Sequence, residues 1–392
     1  MAVRKWWRAR VARADAREPT VARRVGRWCA GAAVIGGGAW LLSACAAVQT
    51  VDYYWQSAAG QWDLVSRARS IHDVIAETDD AGLKIRLTRI HAMREFASDK
   101  LGLPSNGSYT RYTDLGRPFV TWNVFATPEL SLTPRSWCFP IAGCVNYRGF
   151  FREAEAKDEA RRLKSDGEDV YIGGVPAYST LGYFDDPILS SFVRWPETDV
   201  ARLIFHELAH QLIYLPGDSV FNESYASTVE EVGLERWLVA QHNAELLSQV
   251  ERTQRQRAMF KTLVRETRDR LASIYASREP AAEKRKEKAQ AFAAMKTAYD
   301  EAKAKDPGLV GYERWFAQAP NNASLSAIAL YTDRVPAFRA ILKEEGDDLA
   351  RFYDRVRELT RMPKAQRDRI LDAYGRGEHA PPSLPAATRA AL

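Results

Sequence analysis

Apolar residues recur at three- and four-residue spacing along most of the chain, which is the pattern of amphipathic helices. This spacing predicts helices from Val51 to about Lys100, from Val200 to Tyr214, from about Glu223 to Ala240, and over most of Pro307–Leu392. The chain is therefore predicted to be mainly helical.

Between Leu103 and Pro196 the pattern changes to short alternating runs separated by turn residues. Phe119–Phe125 alternates and is rich in β-branched and aromatic residues, as strands are. Val170–Thr180 predicts a second strand that is interrupted by two glycines and continues as an extended piece. Proline and glycine confine such a segment to the edge of a sheet, where a peptide can add as an extra strand. Tyr178 and its neighbours are the predicted strand for holding such a peptide backbone.

Residues 241–306 are rich in Ala, Glu, Lys, Arg and Gln, with one break near Pro280. This composition predicts a long projecting helical hairpin with mostly solvated faces. Its charges alternate in sign, which favours a soluble face over a binding role. The expected fold is α+β, mostly helical with a small edge-strand sheet, in four parts: a leader (1–44), a catalytic region (45–240), the hairpin (241–306) and a C-terminal helical region that completes the cleft (307–392).

The leader has the order of a secretory signal, which is a basic region, then an apolar stretch, then small residues. The apolar stretch from Cys29 to Leu41 is too short and glycine-rich to predict a bilayer span. The ending Leu42–Cys45 resembles the bacterial lipoprotein signal, in which the cysteine is lipidated and becomes the new N-terminus. Ala46 follows it, and in such lipoproteins a residue other than aspartate there implies the outer membrane. These features predict a lipid anchor on Cys45 and a place in the cell envelope, on the periplasmic face of the outer membrane; the alternative is a helix with a chance cysteine.

The charge of the chain depends on this leader. The whole sequence has a formal net charge of +6, but the leader holds nine of the 56 basic residues and two of the 50 acidic ones. Without it, 47 basic and 48 acidic residues remain, a net charge of −1. The basic character therefore belongs to the leader, and no nucleic-acid partner is indicated.

Only two cysteines remain after the leader and the anchor are set aside, Cys138 and Cys144. An isolated close pair with a proline and a glycine between its members predicts a small disulfide-closed loop in an oxidising compartment, here the periplasm. The alternative is half of a metal knuckle, which lacks a second Cys/His pair nearby.

Candidate chemistry is concentrated in Leu203–Gln211, which contains His206-Glu207-Leu-Ala-His210. Histidines four apart on a helix face the same side, so both can bind one metal ion, while Glu207 lies beside that ion as a general base. After twelve intervening residues comes Glu223, near the start of another helical pattern and able to supply a third ligand. Two histidines and one carboxylate leave a coordination position for water, as a single hydrolytic Zn²⁺ ion requires.

His206–His210 followed by Asn222-Glu223-Ser-Tyr-Ala226 resembles the gluzincin metallopeptidases, which include zinc aminopeptidases. The chain beyond the leader also resembles the bacterial predicted aminopeptidase lipoprotein family. The segments that carry this second resemblance are Tyr53–Gln56, Phe139–Cys144, Tyr147–Gly149, Ala177–Gly182, Asp186–Pro187, and Asn321–Ala323 with Tyr331.

The resemblance implies a zincin-like architecture and roles for further residues. Glu230 would accept the second ring proton of a ligand histidine; the alternative is an exposed helix carboxylate. Tyr331 would donate to the developing oxyanion; the alternative is an ordinary packed aromatic residue. The gluzincin aminopeptidases hold the substrate amine with a glutamate in a glycine-rich segment, and the matching segment here, Gly173–Ser179, has no acidic residue.

The expected function is a zinc-dependent peptidase, an aminopeptidase acting on peptides in the periplasm. Two alternatives remain open at this stage. One is an endopeptidase acting on cell-envelope peptides, and the other is a non-catalytic lipoprotein scaffold whose hairpin binds a partner. The sequence leaves the oligomeric state open.

Overall fold

The structure, a computed structural model, describes residues 59–139, 143–177, 179–329 and 334–378. The chain divides into two units, Met1–Ala59 and Gly60–Leu392. The leader and Cys45 lie outside the described residues, and all elements given below belong to the second unit. In the described ranges, no helix is both long and apolar enough to cross a membrane.

Helices account for most of the second unit. In chain order they are α1 (Ile71–Glu77), α2 (Ala81–Asp99), α3 (Glu153–Ser165), α4 (Glu197–Leu212), α5 (Ser219–Ala240), α6 (Ala244–Ala276), α7 (Ala281–Lys305), α8 (Glu313–Ala317), α9 (Asn322–Ala329), α10 (Val335–Glu344), α11 (Leu349–Thr360) and α12 (Lys364–Gly375), with a 3₁₀ turn at Val310–Tyr312. The strands are β1 (Arg69–Ser70), β2 (Arg111–Thr113), β3 (Thr121–Pro128), β4 (Trp137–Phe139), β5 (Gly143–Val145), β6 (Arg148–Phe150), β7 (Glu168–Val175) and β8 (Ile188–Leu189).

Within the described ranges, the strands form three small sheets. One has the order β1-β2-β8, with β1 antiparallel and β8 parallel to β2. The second has the antiparallel order β6-β3-β7, and its longest ladder pairs Thr121–Pro128 with Glu168–Val175. The third is the two-stranded ribbon β4-β5, in which Cys138 and Cys144 face each other and form a disulfide bond. A helical chain with small sheets of this kind is compatible with an α+β fold.

The β6-β3-β7 sheet is covered by α3 because one face of β3 is apolar. Trp122, Val124 and Ala126 alternate along that strand and are buried against Ala160 and Leu163 of α3. This is the period of two that places every second side chain on the same face.

The main core lies between α2, α4, α5, α10 and α11. Its largest fully buried side chains include Phe205 on α4, Tyr225 on α5, Phe338 on α10 and Phe352 on α11. Each fully buried side chain of this size contributes about 1.5–3 kcal/mol through the hydrophobic effect. The helix that carries the two histidines is thereby fixed from several sides.

Helices α6 and α7 pack against each other around a second core, which contains Phe260, Leu271, Met295 and Tyr299. The pair also contacts the β6-β3-β7 sheet, where Lys288 Nζ lies 2.6 Å from Asp169 Oδ2. The composition of this segment predicts mostly solvated faces, but each helix has one buried apolar stripe.

Candidate metal site and its surroundings

The two histidines lie on the C-terminal half of α4. His206 and His210 stand one turn apart, with ring centroids 4.7 Å apart and ring planes nearly perpendicular. His210 is buried and lies in the last turn of the helix, where the negative end of the helix dipole favours a cation.

The turn between α4 and α5 is held by the residue that precedes Glu223. Asn222 accepts a hydrogen bond from Leu215 N at 2.8 Å and donates one to Leu215 O at 2.8 Å. Asp218 caps α5 by accepting from Phe221 N at 3.2 Å, as a preferred N-cap residue does. These contacts fix the start of α5 and so set the position of Glu223 relative to α4.

Three ligand atoms converge between the two helices. His206 Nε2 lies 3.1 Å from His210 Nε2 and 3.2 Å from Glu223 Oε2, and His210 Nε2 lies 3.5 Å from Glu223 Oε1. One ligand atom from each of the three residues falls within 4.8 Å of the other two. The residues predicted as metal ligands are thus brought together.

Glu230, two turns after Glu223 on α5, contacts the other nitrogen of His206. His206 Nδ1 lies 3.0 Å from Glu230 Oε2, while Arg202 Nε lies 3.2 Å from Glu230 Oε1. A proton on Nδ1 that is donated to this carboxylate leaves the Nε2 lone pair free for a metal. The contact is the one expected for Glu230 from the resemblance.

The titration of these groups follows from their contacts. Burial alone would raise the pKa of the Glu223 carboxyl, but hydrogen bonds from His206 and His210 outweigh it and lower that pKa to about 2. Burial alone would lower the pKa of His206, but its contacts with Glu223 and Glu230 raise it well above the ordinary value. Burial likewise opposes ionisation of Glu230, and His206 and Arg202 lower its pKa.

The donor set fits a divalent cation such as zinc. Two imidazole nitrogens 3.1 Å apart repel each other unless a proton or a metal ion lies between them. Two imidazoles and a carboxylate are the ligand set of hydrolytic zinc sites, which keep one coordination position open. The carboxylates of Glu223 and Glu230, 3.2 and 3.0 Å from the two ring nitrogens of His206, favour positive charge at this point.

A cavity of about 530 Å³ adjoins His206 and Glu207. Its charged or metal-binding lining residues are Asp199, Arg202, His206, Glu207, Glu230 and Arg257. Glu207 is half-buried, so its carboxylate is accessible from this cavity while remaining outside the set of three ligand atoms.

On another side of Glu207 lies a buried polar cluster that the sequence does not predict. The Asp186 carboxylate accepts hydrogen bonds from Thr180 N and Thr180 Oγ1, both at 2.9 Å, and its carbonyl accepts from Tyr109 N at 2.7 Å. Burial first, and the charge of Glu207 further, raise the pKa of Asp186 to about 6 although the contacts with Thr180 lower it. Tyr109 is buried and has a φ of +62°, an unusual conformation for a bulky residue.

The loop that contains Tyr109 is tied to α4 and α2. Gln211, next to His210, donates to Ser108 Oγ at 3.2 Å, and Arg94 of α2 donates to the carbonyls of Ser108 at 2.8 Å and Pro104 at 2.7 Å. A strained residue held by this many contacts beside a candidate base is typical of functional sites. In the sequence, Asp186 belongs to one of the segments that carry the family resemblance. No pattern in the sequence indicates a role for Tyr109.

The structure does not place several of the predicted residues at the candidate metal site. Tyr178 and Tyr331 lie outside the described residues, as does Cys45, so their roles stay predictions. Cys138 and Cys144 are exposed on the β4-β5 ribbon. Tyr214 lies at the site and was not predicted; its ring is 6.1 Å from that of His210, and burial together with the charge of Glu223 raises its pKa.

Comparison with known proteins gives one positive finding. A family model described as "Putative aminopeptidase" matches residues 52–371. No curated protein and no solved structure matches the chain.

Proposed function

We propose that this chain, which belongs to the "Putative aminopeptidase" family, is a zinc-dependent peptidase of the cell envelope. Membership supports a peptidase-like function, and it agrees with the family resemblance found in the sequence. The observation that carries the zinc proposal is the convergence of His206, His210 and Glu223 within 4.8 Å, beside the accessible carboxylate of Glu207.

In this proposal one Zn²⁺ ion is held by His206, His210 and Glu223. When bound, zinc would supply Lewis-acid chemistry, which polarises a peptide carbonyl and acidifies water. Glu230 keeps the proton of His206 on Nδ1 and so keeps Nε2 available. Arg202 neutralises Glu230 and holds it in place, since the pair is mostly buried.

Glu207 acts as the general base and then as the acid. It takes a proton from the water that attacks the peptide carbonyl and delivers that proton to the nitrogen of the leaving amine, so that the C–N bond breaks without releasing an amide anion. Its position on the cavity wall, outside the three ligand atoms, suits this role.

The proposal that this peptidase is an aminopeptidase rests on the family description. In the described part of the chain, the acidic groups on the cavity wall other than Glu207 are already engaged, with Glu230 on His206 and Arg202, and Asp199 on Arg257. Hydrolysis of a free peptide and of its N-acetylated form separates the two peptidase types, because only an aminopeptidase requires the free amine.

The test of the proposed function combines metal analysis with a substitution. Protein purified without chelators should contain about one zinc per chain, and Glu207→Gln should keep that zinc while losing roughly 10²–10⁴-fold in kcat. Glu251→Gln, an exposed carboxylate on α6, is the matched control and should hydrolyse peptides at the parent rate. Protein without zinc, or a Glu207→Gln variant of unchanged activity, would refute the proposal.

The envelope location is proposed from the leader, the lipoprotein-like ending at Cys45 and the Cys138–Cys144 disulfide. Disulfides persist in oxidising compartments such as the periplasm. Cys45→Ser should move the protein from the membrane fraction to the soluble periplasmic fraction, and an unchanged membrane fraction would contradict lipid anchoring.

A further inference from the structure

The wall of the cavity away from the ligand atoms carries two guanidinium groups. Arg202 belongs to α4 and its side chain is 8% exposed, while Arg257 belongs to the hairpin helix α6 and its side chain is 39% exposed. Both line the same 530 Å³ cavity as His206 and Glu207. The hairpin therefore contributes a charged side chain to the candidate active site.

These two residues are part of a group of cations. Lys261 follows Arg257 one turn later on α6. The two arginines face acids as well, since Arg202 pairs with Glu230 and Arg257 Nη2 donates to Asp199 Oδ1 at 3.0 Å. A guanidinium has five N–H donors, so the pair with Asp199 leaves Arg257 with donors for a further acceptor.

Distance decides which substrate group this wall can bind. Arg202 and Asp199 precede His206 by four and seven residues on one helix, which corresponds to about 6 and 10 Å along its axis. An extended peptide advances about 3.3 Å per residue. A substrate group that meets Arg257 therefore lies roughly two or three residues from the bond that is cleaved.

The α-amine of an aminopeptidase substrate lies within a single residue of that bond, so Asp199 is too far away to hold it. A C-terminal carboxylate two or three residues beyond the bond is at the required distance. It also has the charge and the planar pair of oxygens that a guanidinium binds best.

We propose that Arg257, with Arg202 beside it, binds the C-terminal carboxylate of short peptide substrates. The proposal rests on the proposed peptidase function and narrows its substrate class to peptides of about three or four residues with a free C-terminus. Asp199 holds the Arg257 side chain in the empty cavity and competes with the substrate carboxylate for it.

The test compares peptides that differ only at the C-terminus. Tetra-alanine as the free acid and as the C-terminal amide are assayed for kcat/KM with the parent enzyme, Arg257→Gln, Arg257→Lys and Asp199→Asn. Arg255→Gln is the matched control, because Arg255 is an exposed arginine on the same helix that does not line the cavity.

The parent enzyme should prefer the acid over the amide by about tenfold or more, as a charge-assisted hydrogen bond provides. Arg257→Gln should reduce this preference to about one, Arg257→Lys should retain part of it, and Arg255→Gln should leave it unchanged. Asp199→Asn should increase it, since the competing carboxylate is removed. An equal rate on acid and amide in the parent enzyme, or a full preference in Arg257→Gln, would overturn the proposal.

A third peptide distinguishes a C-terminal carboxylate from an acidic side chain. The peptide Ala-Ala-Ala-Glu with a C-terminal amide should be cleaved no faster than tetra-alanine amide. Cleavage as fast as that of the free acid would show that the two arginines bind a side-chain carboxylate. That result would also overturn the proposal.

A binding arm separates this proposal from the proposed function. In the Glu207→Gln background, calorimetry should show tighter binding of the acid than of the amide, and adding Arg257→Gln should abolish the difference. Discriminating binding without hydrolysis by the parent enzyme would refute peptidase action and support the carboxylate site. Hydrolysis by the parent enzyme with equal binding of acid and amide would support peptidase action and refute the carboxylate site.

Discussion

Asp186 is a buried carboxyl whose titration makes the stability of the protein depend on pH. Its carboxyl is 1% exposed and has a pKa of about 6 in the folded protein, against an ordinary value of 3.8. Folding therefore favours the protonated form, and the stabilisation is fully present below pH 3.8 and is lost as the pH rises through 6. Since one unit of pKa corresponds to about 1.4 kcal/mol, the full effect is about 3 kcal/mol.

The substitution Asp186→Asn removes this titration and keeps an acceptor for the Thr180 amide. We expect the free energy of unfolding of the parent protein, relative to the variant, to fall by about 2–3 kcal/mol between pH 4 and pH 7, with most of the change below pH 6. Urea unfolding followed by circular dichroism at half-unit pH steps measures it. Asp185→Asn, at the exposed neighbouring position, is the control and should reproduce the parent profile.

A difference between parent and Asp186→Asn that stays constant from pH 4 to pH 7 would refute this reasoning. It would mean that the contacts from Thr180 outweigh burial and keep the carboxyl ionised throughout.

Three further substitutions test other parts of the structure. Glu230→Gln should weaken zinc binding about 10–100-fold in a chelator competition, because it removes the charge that orients His206; unchanged affinity would contradict that role. Gly233→Ala would place a Cβ 2.8 Å from Phe205 Cδ2 and should cost about 1–3 kcal/mol in thermal unfolding, whereas an unchanged melting temperature would mean looser packing of α5 on α4. Phe260→Ala should cost about 3–5 kcal/mol in urea unfolding, and a loss below 1 kcal/mol would show that the hairpin core contributes little.

The sequence predicts most of what local patterns determine. Histidines four apart on an apolar helix must share a face, so His206 and His210 could be paired without a structure. The resemblance to an aminopeptidase family is confirmed by the family match over residues 52–371. The helix that carries the histidines was predicted from Val200 to Tyr214, but it starts three residues earlier and ends at Leu212.

What the sequence could not predict depends on contacts between distant segments. Tyr109 meets Asp186 across 77 positions of the chain, and Arg257 meets Asp199 across 58. No periodicity or spacing relates such pairs. The hairpin was predicted to have mostly solvated faces because its composition is charged, whereas a buried stripe needs only one apolar residue in every three or four.

Helix α5 carries both Glu223 and Glu230, spaced by two turns on one rigid element. A helix that is displaced by a turn against α4 loses the ligand and the residue that orients His206 at the same time. Metal uptake during refolding would consequently report whether α5 has docked on α4, since an intermediate without this docking has only the two histidines of α4 for the metal. Metal binding would then distinguish the native packing of α5 on α4 from a compact intermediate that lacks it.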